Sequence, residues 1–220
     1  RLLALPSDMW PVDLDGLRAH LDAIAGLGVT DLWLTPLAPG RSEPFGKNGA
    51  FHGYWVYAAD GVAERFGGMA AARRLRRALQ HRGMGLMLDL VTNHVAWDAP
   101  LRDQHADWFN PDRAITDWQS PEQVQRGWVH GLPDLNQRLP AVRRHLIERV
   151  KSLVGALRPE AVRIDAMRHQ NPSFLRQLIA ALGPVATAGE VYDGRPDVIA
   201  ETQNRTGASH IFDFPMYYAM

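Results

Sequence analysis

The sequence predicts an α/β fold built on a parallel sheet, and three observations lead to that prediction. Short apolar runs recur along the chain and are mostly separated by segments with helical spacing. The runs are apolar throughout, as in Gly85-Leu-Met-Leu-Asp-Leu-Val91, which is typical of strands covered on both faces. Polar clusters follow directly after several runs, where parallel α/β folds place their ligand sites.

Strands and helices are predicted in alternation along most of the chain. The predicted strands are residues 2–5, ended by Pro6, and residues 29–34, 85–91, 161–165, 185–190 and 210–214. The predicted helices are residues 13–28, 69–81, 141–155 and 173–182, and one more with Pro196 in its first turn. Within the second helix, Arg73, Arg74, Arg76 and Arg77 are expected to form a solvated face.

A (β/α)8 TIM-barrel type is favoured over a doubly wound sheet, because no Gly-x-Gly-x-x-Gly motif opens the first helix. A complete barrel has eight strands and about 250 residues, so this barrel is expected to be incomplete, with about six strands. Residues 1–94 would hold strands 1–3 and a long aromatic loop. Residues 95–140 would form an inserted excursion after strand 3, and residues 141–220 would hold strands 4–6. The sequence is therefore interpreted as the N-terminal part of a barrel.

Composition narrows the classes of partner. The 24 basic and 24 acidic residues balance, so nucleic acid is not expected as a partner. No apolar run approaches the roughly 20 residues that span a bilayer, so no membrane association is expected. There is no cysteine and therefore no thiolate chemistry. Compartment and oligomeric state stay open.

Two carboxylates, Asp165 and Glu190, each close an apolar strand, with one helix between them. Retaining glycoside hydrolysis needs such a pair about 5–5.5 Å apart, one as nucleophile and one as acid. Arg163 shares a strand face with Asp165 and would keep it ionised, while the apolar neighbours of Glu190 would suit an acid. The alternative is a structural ion pair between Asp165 and Arg163, with Glu190 capping the next helix.

A second polar cluster follows the third strand. Asp89 would face the same layer as Arg163 and could be its partner. Neutral His94 could exchange a hydrogen bond with a sugar hydroxyl. The side-chain oxygen of Asn93 could bind a hard cation such as calcium.

Several stretches together resemble the conserved regions of the α-amylase family, the retaining glycoside hydrolases and transglycosylases that act on α-glucans. They span nearly the whole chain in the family's order, so the resemblance is far more specific than any single motif. The stretches are Gly28-Val-Thr-Asp-Leu-Trp-Leu-Thr-Pro36, Phe51-His52-Gly53-Tyr54-Trp55 followed by Asp60, Asp89-Leu-Val-Thr-Asn93-His94, Leu132-Pro133-Asp134-Leu135-Asn136, Arg163-Ile-Asp165-Ala-Met-Arg168-His169 and Gly189-Glu190-Val191.

The resemblance implies a role for each matching residue. Asp165 would be the nucleophile that forms a covalent glycosyl intermediate, Glu190 the general acid and then base, and Arg163 the group that orients Asp165. The substrate would be an α-1,4-linked glucan or a maltooligosaccharide, and no cofactor would be required. The remaining implied contacts are Tyr54 and His94 with the sugar at the cleaved bond, Arg168 and His169 on the leaving-group side, and Asn93 with the backbone of His169 on a structural calcium ion.

The sequence departs from the family pattern at two points. Ala161 stands where the second conserved region usually begins with glycine. The fourth region, with a third catalytic aspartate after a histidine, has no match, because Asp213 in His210-Ile-Phe-Asp213-Phe-Pro resembles the sixth strand instead. The chain by itself is therefore expected to be inactive.

Three alternatives to an α-1,4-hydrolase stay open. One is a transglycosylase or an α-1,6-active member of the same family. The second is an amylase-like module that has lost catalysis and binds carbohydrate or serves in assembly. The third is a metal-dependent barrel hydrolase with His94 and His169 as ligands, which lacks a His-x-His pair.

Overall fold

The computed structural model describes residues 1–5, 13–45 and 47–220 and contains one parallel sheet. Its six strands follow one another in chain order, and every neighbouring pair is parallel. The strands are β1 (Leu2–Leu5), β2 (Asp31–Leu34), β3 (Gly85–Leu90), β4 (Ala161–Ile164), β5 (Ala186–Gly189) and β6 (His210–Ile211). The helices are α1 (Leu14–Ala19), α2 (Leu21–Gly26), α3 (Gly68–His81), α4 (Pro100–Gln104), α5 (Pro121–Val124), α6 (Pro140–Leu157), α7 (Pro172–Leu182), α8 (Pro196–Thr206) and α9 (Phe214–Ala219).

The apolar spacing located the inward face of the first helical segment but not its shape. Leu14, Leu17, Leu21 and Ile24 are all buried, as the 3-4-3 spacing predicts. The segment is nevertheless two six-residue helices, α1 and α2, rather than one. The backbone leaves the helical region at His20, and this break keeps both short apolar faces on the core. Pro6, predicted to end β1, lies outside the described residues.

The predicted last strand, residues 210–214, is wrong beyond its second residue. Strand β6 ends at Ile211, and α9 begins at Phe214. The Asp213 carboxylate accepts a hydrogen bond from the backbone N–H of Met216, so Asp213 caps α9 rather than continuing a strand. Pro215 in the first turn favours the same outcome, because proline there loses no helical hydrogen bond.

The prediction that the arginines of α3 form one solvated face is wrong for Arg76. Its side chain is buried and crosses to the end of α6, where it donates to the carbonyl oxygens of Leu157 at 3.1 Å and Arg158 at 2.7 Å. It also pairs with Glu160 at 2.6 Å. Arg73 and Arg77 are exposed as expected. Arg76 thus joins α3 to the turn that leads into β4.

The core lies between the sheet and its surrounding helices. Leu32, Leu88, Val162 and Ile164 of the strands are almost fully buried. They pack in one cluster with the inward residues of the helices, which include Leu75, Leu79, Val142, Leu146, Val150, Phe174, Leu175 and Leu178. Because this scaffold is dry and close-packed, the polar residues at the carboxyl ends of its strands are held in fixed positions.

The predicted division at residues 94 and 140 stays a prediction. The segment between β3 and α6 contains only short helices, α4 and α5, and two single 3-10 turns. None of the helices in the described ranges has the length and apolar character needed to cross a bilayer.

Candidate active site

The sheet register brings the acidic residues together. Asp89 of β3 is directly opposite Arg163 of β4, so both side chains stand on the same face in neighbouring positions. Ile164 is opposite Gly189 of β5, which places Asp165 and Glu190 side by side just past the strand ends. Sequence spacing predicted this convergence, and the register produces it.

Arg163 is the centre of the site, and its guanidinium bonds three carboxylates. Nη1 donates to Asp165 Oδ1 at 2.7 Å and to Asp89 Oδ1 at 2.8 Å. Nη2 pairs with Glu190 Oε2 at 2.9 Å. A rigid guanidinium fork fixes the separation of groups bonded to its two ends, so it sets the relative position of Asp165 and Glu190.

The three carboxylates differ in exposure and therefore in what each can contact. The side chain of Asp89 is 0% exposed, that of Asp165 is 10% exposed and that of Glu190 is 27% exposed. Asp89 therefore supports Arg163 from below, as predicted for a structural partner. Asp165 and Glu190 both line the cleft. Glu190 is bonded to Arg163 rather than set among apolar groups, and its cap role on the next helix is not observed, because α8 has Arg195 at its N-cap.

Burial and the positive charge of Arg163 have opposite effects on the pKa values of Asp89 and Asp165. Burial raises the pKa of Asp89 to about 7, although Arg163 and Tyr54 donate hydrogen bonds to it. Burial also raises the pKa of Asp165, against the attraction of Arg163. The expectation was that Arg163 keeps Asp165 ionised, but the effect of burial outweighs the attraction of Arg163, whose one guanidinium is shared among three acids.

Ala166 holds Glu190 in place through an unusual backbone conformation. Its φ of 47° lies in the left-handed region, which residues with a Cβ rarely adopt. This conformation directs the Ala166 N–H at Glu190 Oε2, 2.9 Å away. Such strain persists where the surroundings determine it, and here it fixes the second carboxylate.

Two aromatic residues complete the support of Asp89. Tyr54 Oη donates to Asp89 Oδ2 at 2.9 Å, and Trp33 Nε1 donates to the same oxygen at 3.2 Å. The guanidinium carbon of Arg163 lies 5.3 Å from the ring centre of Tyr54 and 5.7 Å from that of Trp33. Burial raises the pKa of the Tyr54 phenol, so Tyr54 stays a neutral donor. Tyr54 also lines the cleft, as its predicted contact with a sugar requires.

His94 is a neutral side chain with one nitrogen in use. Its Nε2 is 3.1 Å from the backbone oxygen of Tyr54, to which it donates. Burial lowers the pKa of His94 to about 4. Among the residues that the structure describes, its Nδ1 has no hydrogen-bond partner, and the ring lines the cleft. His94 therefore borders the cleft as a neutral ring whose Nδ1 is a buried hydrogen-bond acceptor.

Arg168 and His169 also line the cleft, and the backbone N–H of Arg168 donates to the backbone oxygen of Glu190 at 3.3 Å. His169 Nδ1 is 2.9 Å from the carbonyl oxygen of Val124 in α5, and burial lowers the pKa of His169 to about 4. The guanidinium of Arg168 bonds backbone oxygens of Trp118 and Tyr192. Both predicted residues therefore border the cleft but are also tied to neighbouring loops.

The cleft above these residues has a volume of about 1300 Å³ and is rich in aromatic side chains. Its lining includes residues of the long loop after β2 and Trp97, whose ring stacks on Phe45 at 4.3 Å. Trp118 and Tyr192 also line it, and both are exposed. A wide groove with aromatic walls and carboxylates at its floor suits a ligand with flat apolar faces and many hydroxyls, such as an oligosaccharide.

Asn93 belongs to a separate buried polar cluster. It lies against Asp134, and Asn110 Nδ2 donates to Asp134 Oδ2 at 2.7 Å. Within the described ranges, both side-chain polar atoms of Asn93, Oδ1 of Asn110 and Oδ1 of Asp134 lack a hydrogen-bond partner. Burial raises the pKa of Asp134 well above its usual value. Unpartnered buried oxygens on amides and one carboxylate are the donor set that a hard cation such as calcium prefers.

The side chain of His169 is not part of this cluster, because its ring bonds the backbone oxygen of Val124. Its predicted metal role therefore depends on its backbone oxygen and stays a prediction. In the described part of the chain, no group of three His, Cys, Asp or Glu side chains could hold a metal ion. The donors at Asn93 are amide-rich and suit calcium better than a transition metal.

Sequence reasoning missed several residues of the site. Trp33 lies in an apolar strand and in a stretch that resembles the family, but neither gives it a role, and Asn110 and Trp118 lie in an irregular segment without periodicity. Asp193 anchors Arg168 and Arg195, with Oδ2 at 2.8 Å from both. No sequence signal marks the left-handed conformation of Ala166. Asp134 lies in the stretch Leu132-Pro133-Asp134-Leu135-Asn136 that resembles the family, but the resemblance alone does not indicate its place beside Asn93.

Comparisons with known proteins agree with this geometry. The family profile described as the alpha amylase catalytic domain matches residues 11–179. Alpha-amylase 2 of Schwanniomyces occidentalis is 31% identical over 220 residues, covering 93% of this chain and 42% of that protein. Alpha-amylase 1 of Lipomyces kononenkoae is 30% identical over 216 residues, covering 92% of this chain and 34% of that protein.

Solved structures give the same result. The crystal structure of alpha-amylase from Geobacillus thermoleovorans with acarbose has 31% identity and a TM-score of 0.86, covering 100% of this chain and 50% of that one. The crystal structure of an Anoxybacillus alpha-amylase has 30% identity and a TM-score of 0.87, covering 97% of this chain and 47% of that one.

Fold and site together define a parallel α/β-barrel protein with a carboxylate cluster at its strand ends. The chain belongs to the α-amylase family of glycoside hydrolases. The predicted (β/α)8-type fold is confirmed as an incomplete barrel of six parallel strands. The chain spans well under half the length of the two curated relatives, so the activity of the whole protein is a matter of proposal.

Proposed function

We propose that the protein hydrolyses α-1,4-glucosidic bonds in starch, maltooligosaccharides or related α-glucans with retention of anomeric configuration. The observation that carries this proposal is the pair Asp165 and Glu190, held on the two ends of one guanidinium at the floor of an aromatic cleft. That arrangement is compatible with the roughly 5–5.5 Å between carboxyl groups that retention requires.

The residues divide the reaction between them. Asp165 attacks the anomeric carbon as Glu190 protonates the glycosidic oxygen, so the carbon–oxygen bond breaks and a glycosyl ester forms on Asp165. Glu190, now ionised, removes a proton from water, which attacks the anomeric carbon and releases Asp165. Glu190 is suited to the proton transfers because it is the most exposed of the three acids. Asp89 keeps Arg163 in place without touching the substrate.

The test is turnover of soluble starch and of a nitrophenyl maltooligosaccharide by the complete protein that contains this chain. Asp165→Asn and Glu190→Gln are each expected to lower kcat at least a thousandfold, because each removes a group that acts only in the transition state. Asp98→Asn is the matched control, since Asp98 pairs with Arg41 and Tyr57 outside the carboxylate cluster. Wild-type-like turnover by Asp165→Asn would refute the nucleophile assignment.

The same assay separates the alternatives. Longer products than the substrate would indicate transglycosylation, and turnover of α-1,6-linked glucans would indicate the other linkage. Binding without turnover by the complete protein would indicate a carbohydrate-binding module. Residues 1–220 alone are expected to give no turnover, because the resemblance implies a third acid that is not among them.

We propose that Asn93, Asn110 and Asp134 hold a structural calcium ion. The three oxygens among the atoms named above, Oδ1 of each buried side chain, support this, because calcium binds amide and carboxylate oxygens. The ion would neutralise Asp134 and tie the end of β3 to the excursion that carries Asn110 and Asp134. No catalytic step passes through it.

A further inference from the structure

One peptide group connects the two members of the carboxylate pair. Its carbonyl oxygen belongs to Asp165 and its N–H to Ala166. The N–H donates to Glu190 Oε2 at 2.9 Å, and the oxygen accepts from Gln170 Nε2 at 2.7 Å. The C=O and N–H of a planar trans peptide point in opposite directions. The bond that holds the oxygen in the interior therefore also aims the N–H at Glu190.

Thr92 determines which end of the Gln170 amide faces this peptide. Both side chains are buried, and Thr92 Oγ1 donates to Gln170 Oε1 at 2.7 Å. A carbonyl oxygen can only accept, so the amide nitrogen of Gln170 must face Asp165 and its oxygen must face Thr92. The Thr92 hydroxyl is then the donor that fixes the amide in this orientation.

A second glutamine, Gln137, anchors the backbone of Thr92. Gln137 Nε2 donates to the backbone oxygen of Thr92 at 3.0 Å, and Gln137 Oε1 accepts the N–H of Asn171 at 2.8 Å. Asn171 in turn caps α7 through its side chain. Thr92, Gln137 and Gln170 are almost fully buried, so little water competes with these bonds. Gln170 is thus held in one place between the end of β3 and the start of α7.

The backbone of Ala166 by itself would not keep its N–H on Glu190. Its φ of 47° is unfavourable for a residue with a Cβ, and rotation of the Asp165–Ala166 peptide toward negative φ would relieve that strain. The same rotation would turn the N–H away from Glu190. Gln170 opposes it, because the rotation would break the bond to the Asp165 oxygen and leave a buried amide donor unpaired.

We propose that Gln170, oriented by Thr92, is a positioning residue that directs the Ala166 N–H at Glu190 and so places the acid for proton transfer. This proposal rests on the proposed function of the same site. Gln170 is 1% exposed, so it acts through the Asp165–Ala166 peptide and not on the substrate. Its loss should impair the step that needs a proton from Glu190 more than the attack by Asp165.

The experiment compares two substrates on the complete protein. Maltoheptaose loses a sugar that needs a proton from Glu190, whereas α-maltosyl fluoride loses fluoride, which leaves without that proton. Gln170→Met should lower kcat/KM for maltoheptaose by roughly tenfold to a hundredfold, a part of the 10²–10⁴-fold that general acid catalysis supplies. Its KM for maltoheptaose, and its kcat/KM for the fluoride, should each stay within about threefold of wild type.

Two substitutions of Thr92 test whether its hydroxyl orients the amide. Thr92→Val keeps the shape of the side chain and removes the donor, so it should lower kcat/KM for maltoheptaose by roughly tenfold, the scale of one buried group left unpaired. Thr92→Ser keeps the hydroxyl and loses a methyl group, and it should stay within about threefold of wild type on both substrates. This pair can be read even if Gln170→Met does not fold.

Gln137→Met is the matched control for Gln170→Met. It also removes two hydrogen bonds of a buried glutamine, but neither of them reaches the Asp165–Ala166 peptide. Its Tm should therefore fall about as far as that of Gln170→Met. The ratio of kcat/KM for maltoheptaose to kcat/KM for the fluoride should nevertheless stay within about threefold of wild type.

Several outcomes would overturn the proposal in an active protein. Equal losses of Gln170→Met on both substrates would mean that Gln170 supports Asp165 rather than Glu190. An unchanged kcat/KM with a lowered Tm would mean that its role is in stability alone. An equal change of the substrate ratio in Gln137→Met would mean that any loosening of this region has the same effect. A wild-type Thr92→Val beside an impaired Thr92→Ser would mean that packing, and not the hydroxyl, matters. Failure of wild type to turn over either substrate would count against the proposed function instead.

Discussion

Arg163 is the residue through which three carboxyl groups of the site are coupled. Two of them, Asp89 and Asp165, are buried, and burial raises the pKa of both. The energetic consequence is that folding favours the protonated form of at least one acid. Asp89 is the better candidate, because it touches no substrate and its pKa is about 7.

This predicts a pH-dependent effect of Asp89→Asn on stability. A carboxyl whose pKa rises from 3.8 to about 7 on folding contributes stability below 3.8 that is lost as pH rises through 7. Asparagine does not titrate. The Tm of wild type minus the Tm of Asp89→Asn should therefore be larger at pH 5 than at pH 8. Thermal unfolding at several pH values measures this, with Asp98→Asn as control. A difference that grows with pH would show that its donors keep Asp89 ionised.

Ala166 gives a second prediction at the scale of one residue. Its left-handed conformation costs about 1 kcal/mol for a residue with a Cβ, and glycine avoids that cost while losing about 0.5–1 kcal/mol in chain entropy. Ala166→Gly is therefore expected to change unfolding free energy by less than about 0.5 kcal/mol. Ala78→Gly, inside α3, should cost about 1 kcal/mol. Urea unfolding of both variants compares them, and equal losses would contradict the strain assignment.

At the scale of elements, Arg76 shows how helices are locked to the strand that carries Asp165. It bonds the last carbonyls of α6 and the side chain of Glu160, whose Oε2 in turn accepts the N–H of Leu86 in β3 at 2.8 Å. The α3–α6 packing and the start of β4 therefore share one buried cation.

Arg76→Met should consequently destabilise the protein by about 2–3 kcal/mol, because it leaves buried carbonyl oxygens and Glu160 without their donor. Arg73→Met and Arg77→Met, on the exposed face of the same helix, should stay within about 0.5 kcal/mol. Denaturant unfolding gives these values. If Arg76→Met lowered the free energy of unfolding as little as Arg73→Met and Arg77→Met do, water would be replacing the hydrogen bonds of Arg76.

At the scale of the whole molecule, the Asn93 cluster links the sheet to the excursion. A ligand that binds only the folded state stabilises it by about 2.7 kcal/mol at a concentration of 100 times Kd. Calcium should therefore raise the Tm by several degrees, and Asp134→Asn should abolish that rise. Asp112→Asn, exposed on the same excursion, is the control. An equal response of Asp134→Asn and wild type would remove the calcium proposal.

The order and type of elements were predictable from local signals. Continuous apolar runs located β2, β3, β4 and β5 to within two residues at each end, because strands buried on both faces leave little choice of residue. The end of β6 and helix α9 were not predicted, since Asp213 and Pro215 determine a helix start within an apolar stretch. The break at His20 likewise has no local sequence mark.

By itself, the sequence determined the barrel type, the family resemblance, and the convergence of Asp89, Arg163, Asp165 and Glu190 at neighbouring strand ends. Strand spacing and side-chain alternation are local properties, so they can be read in one dimension. Only the tertiary structure decided that Arg163 divides its bonds among three acids, that Arg76 is buried, and that Arg168 bonds the backbone oxygens of both Trp118 and Tyr192. Those outcomes depend on distances between segments remote in the chain, which no local pattern encodes.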